Sequence, residues 1–196
     1  MRIGIPGTGS MAAATAAARI GAAGHGGHGG LAGAAGYGGA VLMAVSADSA
    51  PGLARELAPV PAGRTVLDCT VPMAAGPDGP SPATAGGTDS VAARISPAAP
   101  DAGGARVFGI CHERVWTLPR PAFEGAPLAV PFCAGSPAAA VSAAEPITSV
   151  GCGGLSRAAL PEPAAVFAAG VWWSGGAARH ALPSPALAPG AVGDEP

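Results

Sequence analysis

Residues 2–12 read Arg-Ile-Gly-Ile-Pro-Gly-Thr-Gly-Ser-Met-Ala, which predicts a short apolar strand, a glycine turn and the start of a helix. The pattern Gly7-x-Gly9-x-x-Ala12 matches the dinucleotide fingerprint. In that fingerprint Gly7 allows the tight turn, Gly9 leaves room for a pyrophosphate against the backbone, and Ala12 lets helix and strand pack closely. The alternative, in a chain with 32 glycines, is a glycine-rich loop at the end of a strand.

Apolar strand-like runs alternate with helical runs along the rest of the chain. We predict strands at 2–6, 40–45, 66–70, 105–111, 126–133 and 148–152, and helices at 10–23, 89–96 and 138–145 and from a cap within 46–49 through Leu57. This alternation is typical of α/β architecture, and a continuous apolar run such as 40–45 suits a strand buried on both faces. The sequence therefore predicts a Rossmann-type parallel sheet with helices on both faces and a small C-terminal helical segment.

Glycine and proline punctuate three stretches. Residues 24–39 are predicted to be a flexible connection, because glycine at this density costs much backbone entropy to order. A strand carrying a residue that reads the ribose would be expected there, and none is visible. Residues 73–87 are predicted to be a long loop. We divide the chain into a nucleotide-binding domain at 1–135, a small C-terminal segment at 136–182, and a disordered tail at 183–196.

Composition limits the classes of protein to which the chain can belong. The formal net charge is −2 and aromatic residues make up 4%, which argues against nucleic-acid binding. No apolar run approaches the roughly 20 residues of a membrane helix. Four cysteines without a C-x-x-C pair suggest a reduced cytoplasmic chain, with one disulfide or a metal site as the alternatives. The abundance of Gly and Pro also leaves open a chain that is only partly folded.

Four segments together resemble the deazaflavin-dependent NADP reductases, which pass hydride between NADP and coenzyme F-420. Residues 3–11 are similar to the family's strand and G-T-G-N-M turn, and Val66–Met73 to its strand ending in V-P. Residues 106–112 resemble a strand ending at a histidine. Residues 128–135, followed by 149–151 and 154–157, are similar to the V-x-V-C-G and A-G-P-L-S segments.

The resemblance implies an oxidoreductase whose site residues can be carried over position by position. Residues of the glycine turn would hold the pyrophosphate, others would line the cofactor's path, sit near the nicotinamide or close the pocket behind it, and His112 would lie near the deazaflavin as the catalytic residue. The implied cofactor-binding residues are Gly7, Thr8, Gly9, Ser10, Met11, Val45, Ser46, Val71, Pro72, Met73, Cys133 and Ala134. All are expected at the carboxyl ends of strands, where open α/β sheets bind ligands.

The sequence leaves several interpretations open. Because the ribose-reading segment is absent, the sequence does not support a preference for NADP over NAD. Two alternatives to a deazaflavin-dependent reductase remain: a non-catalytic relative that binds a dinucleotide, and a reductase of another small molecule. His25 and His28 suggest either a metal site or a solvated loop, and Asp68 either a base or an acceptor of backbone N–H bonds. The tryptophans are expected either to stack on a flavin-like ring or to pack in a core or a subunit contact. The apolar run 166–173 is compatible with a homodimer.

Overall fold

The computed structural model describes residues 2–7, 9–17, 31–59, 62–71, 73–76, 79–82, 91–109, 116–119, 121–123, 126–127 and 129–156. The strands are β1 (Ile3–Gly4), β2 (Ala40–Met43), β3 (Thr65–Asp68), β4 (Met73–Gly76), β5 (Gly79–Pro82), β6 (Gly103–Arg106), β7 (Ala122–Phe123), β8 (Ala126–Pro127), β9 (Ala129–Ala134) and β10 (Gly153–Ser156). The helices are α1 (Ser10–Ala17), α2 (Leu31–Gly36), α3 (Ala50–Leu57), α4 (Val91–Ile95) and α5 (Pro137–Ser149), and a short 3-10 helix spans Ser96–Ala98.

A six-stranded sheet in the order β1-β2-β3-β6-β9-β10 organises these elements. The strands β1, β2, β3 and β6 run parallel to one another, β9 pairs antiparallel with β6, and β10 pairs parallel with β9. The strands β4 and β5, and likewise β7 and β8, form two separate antiparallel pairs. The predicted α/β class is therefore confirmed, with one antiparallel pairing inside a sheet that was expected to be parallel throughout.

The strand β2 shows how the sheet buries both of its faces. Ala40 and Leu42 pack on one face with residues of α1 and α5, whereas Val41 and Met43 pack on the other with residues of α2, α3 and α4. All four side chains are at most 1% exposed. Full burial of a side chain such as Leu or Met contributes about 1.5–3 kcal/mol, so this central strand stabilises both layers. Helices lie on both faces of the sheet, as the sequence predicted.

The helix α2 lies inside the stretch 24–39, so the prediction of a flexible connection is wrong for residues 31–36. The carbonyl of Ala34 packs directly against Gly4 of β1, where a Cβ would lie 1.8 Å from that oxygen. At the other end of α2, Arg64 Nη1 donates a hydrogen bond to Ala35 O at 2.9 Å, which places a cation at the helix C-terminus. Tertiary contacts thus stabilise a helix whose own sequence is too rich in glycine to do so.

The helix α5 continues past the predicted end at residue 145, and the predicted strand at 148–152 is wrong. Ser136 caps the helix by accepting a hydrogen bond from Ala139 N at 3.2 Å. The buried side chains Ala139, Ala143 and Ile147 follow at helical spacing, and this period continues the helix through Pro146. The next strand that the structure describes, β10, begins only at Gly153.

Smaller differences from the predicted elements lie at the remaining segments. The antiparallel pair β4 and β5 occupies part of the predicted loop 73–87. The strand predicted at 105–111 ends at Arg106, and the one predicted at 126–133 divides into β8 and β9. Residues 157–182 and the tail lie outside the described residues. In the described part of the chain, no helix has the length and apolar character needed to cross a membrane.

The contact between α2 and β1 predicts opposite effects for two glycine substitutions. Gly4→Ala forces a Cβ against the Ala34 carbonyl, and overpacking of this kind lowers the free energy of unfolding by about 1–3 kcal/mol or more. The matched control is Gly52→Ala in α3, where an added Cβ meets nothing within 4 Å and a gain of about 0.5–1 kcal/mol is expected. Urea unfolding measures both, and a Gly4→Ala protein as stable as wild type would contradict the packing.

Candidate functional site

A cavity of about 520 Å³ opens at the carboxyl ends of β1, β2 and β3. In open α/β sheets this edge is where ligands bind. Three segments that directly follow these strands supply most of its wall, and one residue comes from the start of α2. The described residues that line it are Gly7, Gly9, Leu31, Ala44, Val45, Ser46, Ala47, Cys69, Thr70 and Val71.

The two glycines of the first turn differ in what surrounds them. Gly7 has φ +152°, and a Cβ there would lie 2.3 Å from Ala44 O and 3.3 Å from Ala12 Cβ, so only glycine fits between β2 and α1. At Gly9 a Cβ would meet nothing within 4 Å, which leaves the space above the backbone open to the cavity. The first hydrogen bond of α1 runs from Ala13 N to Gly9 O at 3.0 Å. The turn therefore has the shape and the adjacent helix start that a phosphate requires.

The second wall segment follows β2 and turns directly into α3. The carbonyl of Ser46 accepts hydrogen bonds from Ser49 N and Ala50 N, both at 3.0 Å. The Ser46 hydroxyl donates to Ser49 Oγ at 2.7 Å. These bonds fix a tight turn, and they hold Val45 and Ser46 against the cavity.

The third wall segment depends on a buried ion pair. Arg106 Nη1 lies 2.9 Å from Asp68 Oδ2, and the two side chains are 7% and 3% exposed. Thr70 N donates to Asp68 Oδ1 at 2.9 Å, and Arg106 Nη2 donates to Thr70 O. Asp68 therefore accepts a backbone N–H, one of the two roles considered from the sequence, and it also neutralises an arginine. Its carboxylate is occupied by these partners.

The hydroxyl of Thr70 is the exception in this otherwise satisfied network. Thr70 is 3% exposed and lines the cavity, yet its Oγ1 has no hydrogen-bond partner within the described part of the chain. An unsatisfied buried hydroxyl costs about 1–3 kcal/mol. The oxygen has less than 1 Å² of accessible surface, so it lies behind the cavity wall rather than facing the open space.

Cys69 lines the same wall and is chemically quiet. Its thiol donates to Met43 O at 3.3 Å. Burial, and then the nearby carboxylate of Asp68, raise the pKa of Cys69 to about 12. The group is thus a neutral thiol near pH 7, and the thiolate needed for nucleophilic chemistry is not formed.

The structure brings five of the residues implied by the resemblance to one cavity: Gly7, Gly9, Val45, Ser46 and Val71. Ser10 begins α1, with Met11 next to it, and Met73 begins β4. Thr8, Pro72 and His112 lie outside the described residues, as do His25 and His28.

Cys133 and Ala134 do not reach this cavity wall. They pair with Arg106 and Ala105 of β6, and because β9 runs antiparallel to β6, its carboxyl end points toward the opposite edge of the sheet. Cys133 lies level with Arg106, the last residue of β6, and the role of both residues in closing the pocket stays a prediction.

Five cavity residues were not predicted: Leu31, Ala44, Ala47, Cys69 and Thr70. Four of them lie within two residues of predicted site residues: Ala44, Cys69 and Thr70 are the last residues of predicted strands, and Ala47 follows Ser46. Leu31 gave no signal, because it lies in the stretch interpreted as a flexible connection.

Comparison with known proteins identifies the fold in which this cavity lies. No family model matches the chain, and no curated protein matches it by sequence. A structure from Arthrobacter sp. FB24, described as a candidate coenzyme F-420-dependent NADP reductase, superposes with a TM-score of 0.69 at 19% identity, covering 85% of this chain and 90% of that one. A hypothetical protein of Sinorhizobium meliloti gives 0.66 at 18%, covering 80% and 84%.

A third likeness is to pyrroline carboxylate reductase of Plasmodium falciparum with NADP bound. Its TM-score is 0.54 at 11% identity, and the match covers 80% of this chain and 57% of that one. At these identities the likenesses show the fold. The chain has the Rossmann-type α/β fold found in NADP-binding reductases.

The buried ion pair predicts a non-additive pattern of stability. Arg106→Met leaves the Asp68 carboxylate buried without its cation, and the expected loss in free energy of unfolding is about 3–5 kcal/mol. The double substitution Asp68→Leu with Arg106→Met removes both charges, so part of that loss should return. Urea unfolding of wild type, the two single variants and the double variant measures the coupling, and simple additivity of Asp68→Leu and Arg106→Met would contradict it.

The raised pKa of Cys69 predicts a loss of stability in alkali. The ordinary thiol pKa is 9.0 and the folded value is about 12, so the contribution is fully present below about pH 9 and is lost as the pH rises toward 12. Each such thiol adds a slope of up to roughly 1.4 kcal/mol per pH unit to the free energy of unfolding. Cys69→Ala should flatten the slope in part, since burial also raises the pKa of Cys152 to about 11. Urea unfolding from about pH 8 to pH 10.5 tests this.

Proposed function

We propose that the chain is a cytoplasmic oxidoreductase that binds NADP(H) in the cavity at the ends of β1, β2 and β3 and transfers hydride between it and the deazaflavin coenzyme F-420. The observation that carries the proposal is the turn of Gly7 and Gly9. It combines a close backbone approach, an open space and a helix start in a fold that NADP-binding reductases share.

Each wall segment has a role in this proposal. Gly7 to Met11 hold the pyrophosphate, Val45 and Ser46 line the path of the dinucleotide, and Val71 to Met73 lie near the nicotinamide. His112 is the proposed residue beside the deazaflavin. The nicotinamide cofactor supplies the hydride chemistry, and the protein contributes binding, alignment and exclusion of water.

The cavity wall suits hydride transfer because its side chains are small and uncharged. The described residues lining the cavity are Gly, Ala, Val, Leu, Ser, Cys and Thr, and none of them carries a formal charge at neutral pH. A wall of this kind sets no charged group against a bound cofactor, and hydride transfer between two bound cofactors needs no acid–base pair. The candidate F-420-dependent reductase among the similar structures supports the choice of deazaflavin as the second substrate.

A non-catalytic nucleotide-binding protein is the second candidate. The same uncharged wall favours it, because the described lining residues include no cation to pair with a ribose 2′-phosphate. A protein that holds a dinucleotide without selecting its phosphate or turning it over would show the same cavity.

Titration with NADPH and NADH, followed by the fluorescence of the reduced nicotinamide, tests the binding step. Gly9→Val places a side chain in the open space at the turn, so affinity should fall at least tenfold while the melting temperature stays close to wild type. The matched control is Gly104→Val, at an exposed position of β6 where an added Cβ also meets nothing within 4 Å, and it should leave affinity unchanged. Absence of binding of either nucleotide up to millimolar concentration would overturn the proposal.

Reduction of NADP by the reduced deazaflavin, followed by absorbance, tests the catalytic step. Turnover that disappears in Gly9→Val supports the reductase. Tight nucleotide binding without turnover would favour the non-catalytic candidate.

A further inference from the structure

The two faces of the sheet are covered unequally. On the first face, Ala105 of β6 and Val130 and Phe132 of β9 share one apolar cluster with residues of α5. On the second face, α2, α3 and α4 form a cluster with β2 and β3, and it contains no described side chain of β6, β9 or β10. Sheets built with parallel crossovers normally bury both faces. The described helices thus cover β9 and β10 on the first face only.

Gly104 and Cys133 mark the uncovered part of the second face. Gly104 is exposed, and an added Cβ there would meet nothing within 4 Å. Side chains alternate along a strand, so Cys133, which follows Phe132, points away from α5, and it is half-buried. A cavity of about 40 Å³ lies where the second layer ends, between Ile95 and Ala99 on one side and β6 on the other. This surface lets large apolar side chains approach the backbone closely.

The chain leaves the sheet beside this surface. The strand β10 lies at the edge of the described sheet and ends at Ser156, and the sequence continues from Arg157 to Pro196. Residues 164–173 read Ala-Ala-Val-Phe-Ala-Ala-Gly-Val-Trp-Trp, and no charged residue occurs from Pro163 to Ala178. Because α5 already occupies the first face, the second face is the uncovered surface that adjoins this end of the chain.

We propose that residues 164–173, the C-terminal apolar segment, pack on the second face of β6, β9 and β10 of the same chain. As a helix this segment measures about 15 Å, enough to cross three strands spaced about 4.8 Å apart. Its Phe and Trp side chains carry large apolar areas, and contiguous apolar surface of that kind is rarely left exposed. The short link 157–163 holds the segment near its own sheet, which favours this face over that of a second copy.

Alkylation of Cys133 by iodoacetamide tests whether the segment covers this face. The double substitution Phe167→Ser with Trp172→Ser removes two large apolar groups from the segment, so Cys133 should react about tenfold faster than in wild type. The matched control is Cys152, which is 5% exposed in the cluster that α5 covers on the first face. Its rate should not change. Peptide masses identify which cysteine has reacted.

Amide hydrogen exchange of the wild-type protein provides a second measurement that needs no variant. Amides of residues 164–173 should exchange more slowly than in a synthetic peptide of the same sequence, because packed segments are protected. Exchange as fast as in the peptide would overturn the proposal. So would equal alkylation rates of Cys133 in wild type and variant. If both cysteines react faster in the variant, it has unfolded, and the exchange measurement decides.

Dilution separates packing on the same chain from docking on a second copy. The alkylation rate of Cys133 in wild type should be independent of protein concentration, because the cover belongs to the same molecule. A rate that rises on dilution, together with dissociation of a dimer in sedimentation, would assign this face to a second copy and overturn the proposal. None of these measurements involves a nucleotide, so failure of the proposed function leaves them unaffected.

Discussion

The ion pair between Asp68 and Arg106 is the interaction on which the candidate site depends. It joins β3 to β6 at the edge where the cavity opens, and through Thr70 it fixes the segment that forms the cavity's third wall. The arginine side chain also depends on glycine at position 109, because a Cβ there would lie 2.9 Å from Arg106 Nη2. Buried ion pairs often add little net stability compared with apolar residues. The value of this one lies in the geometry it imposes on a strand end.

Local sequence patterns predicted the parts of the fold that local chemistry decides. The glycine turn, the continuous apolar run of β2 and the amphipathic α3 were each located to within a few residues. Five of the twelve cofactor-binding residues implied by the resemblance line the cavity, because the ends of parallel strands converge at one edge. The role of Asp68 as a hydrogen-bond acceptor was also among the predicted alternatives. A polar residue at the end of a buried strand needs hydrogen-bond partners.

What the sequence did not reveal depends on contacts between distant segments. The helix α2 exists because Gly4 lets its backbone approach and Arg64 caps it, and neither residue lies in the glycine-rich stretch. The antiparallel direction of β9 has no local signature, so a sheet that is parallel throughout was expected. The burial of Arg106 could not be predicted from the sequence either. An arginine in a strand is expected to be exposed unless a buried partner for it is known.

The composition of the cavity wall matches the unusual composition of the whole chain. The chain contains no Lys, Asn or Gln, and its 32 glycines and many alanines suggest a strong mutational bias toward a few codons. A pocket lined by small residues, such as the turn of Gly7 and Gly9, is made of the residue types that this composition supplies. A phosphate site of this kind needs none of the Lys, Asn and Gln side chains that the sequence lacks, because main-chain N–H groups at a helix start can bind the anion.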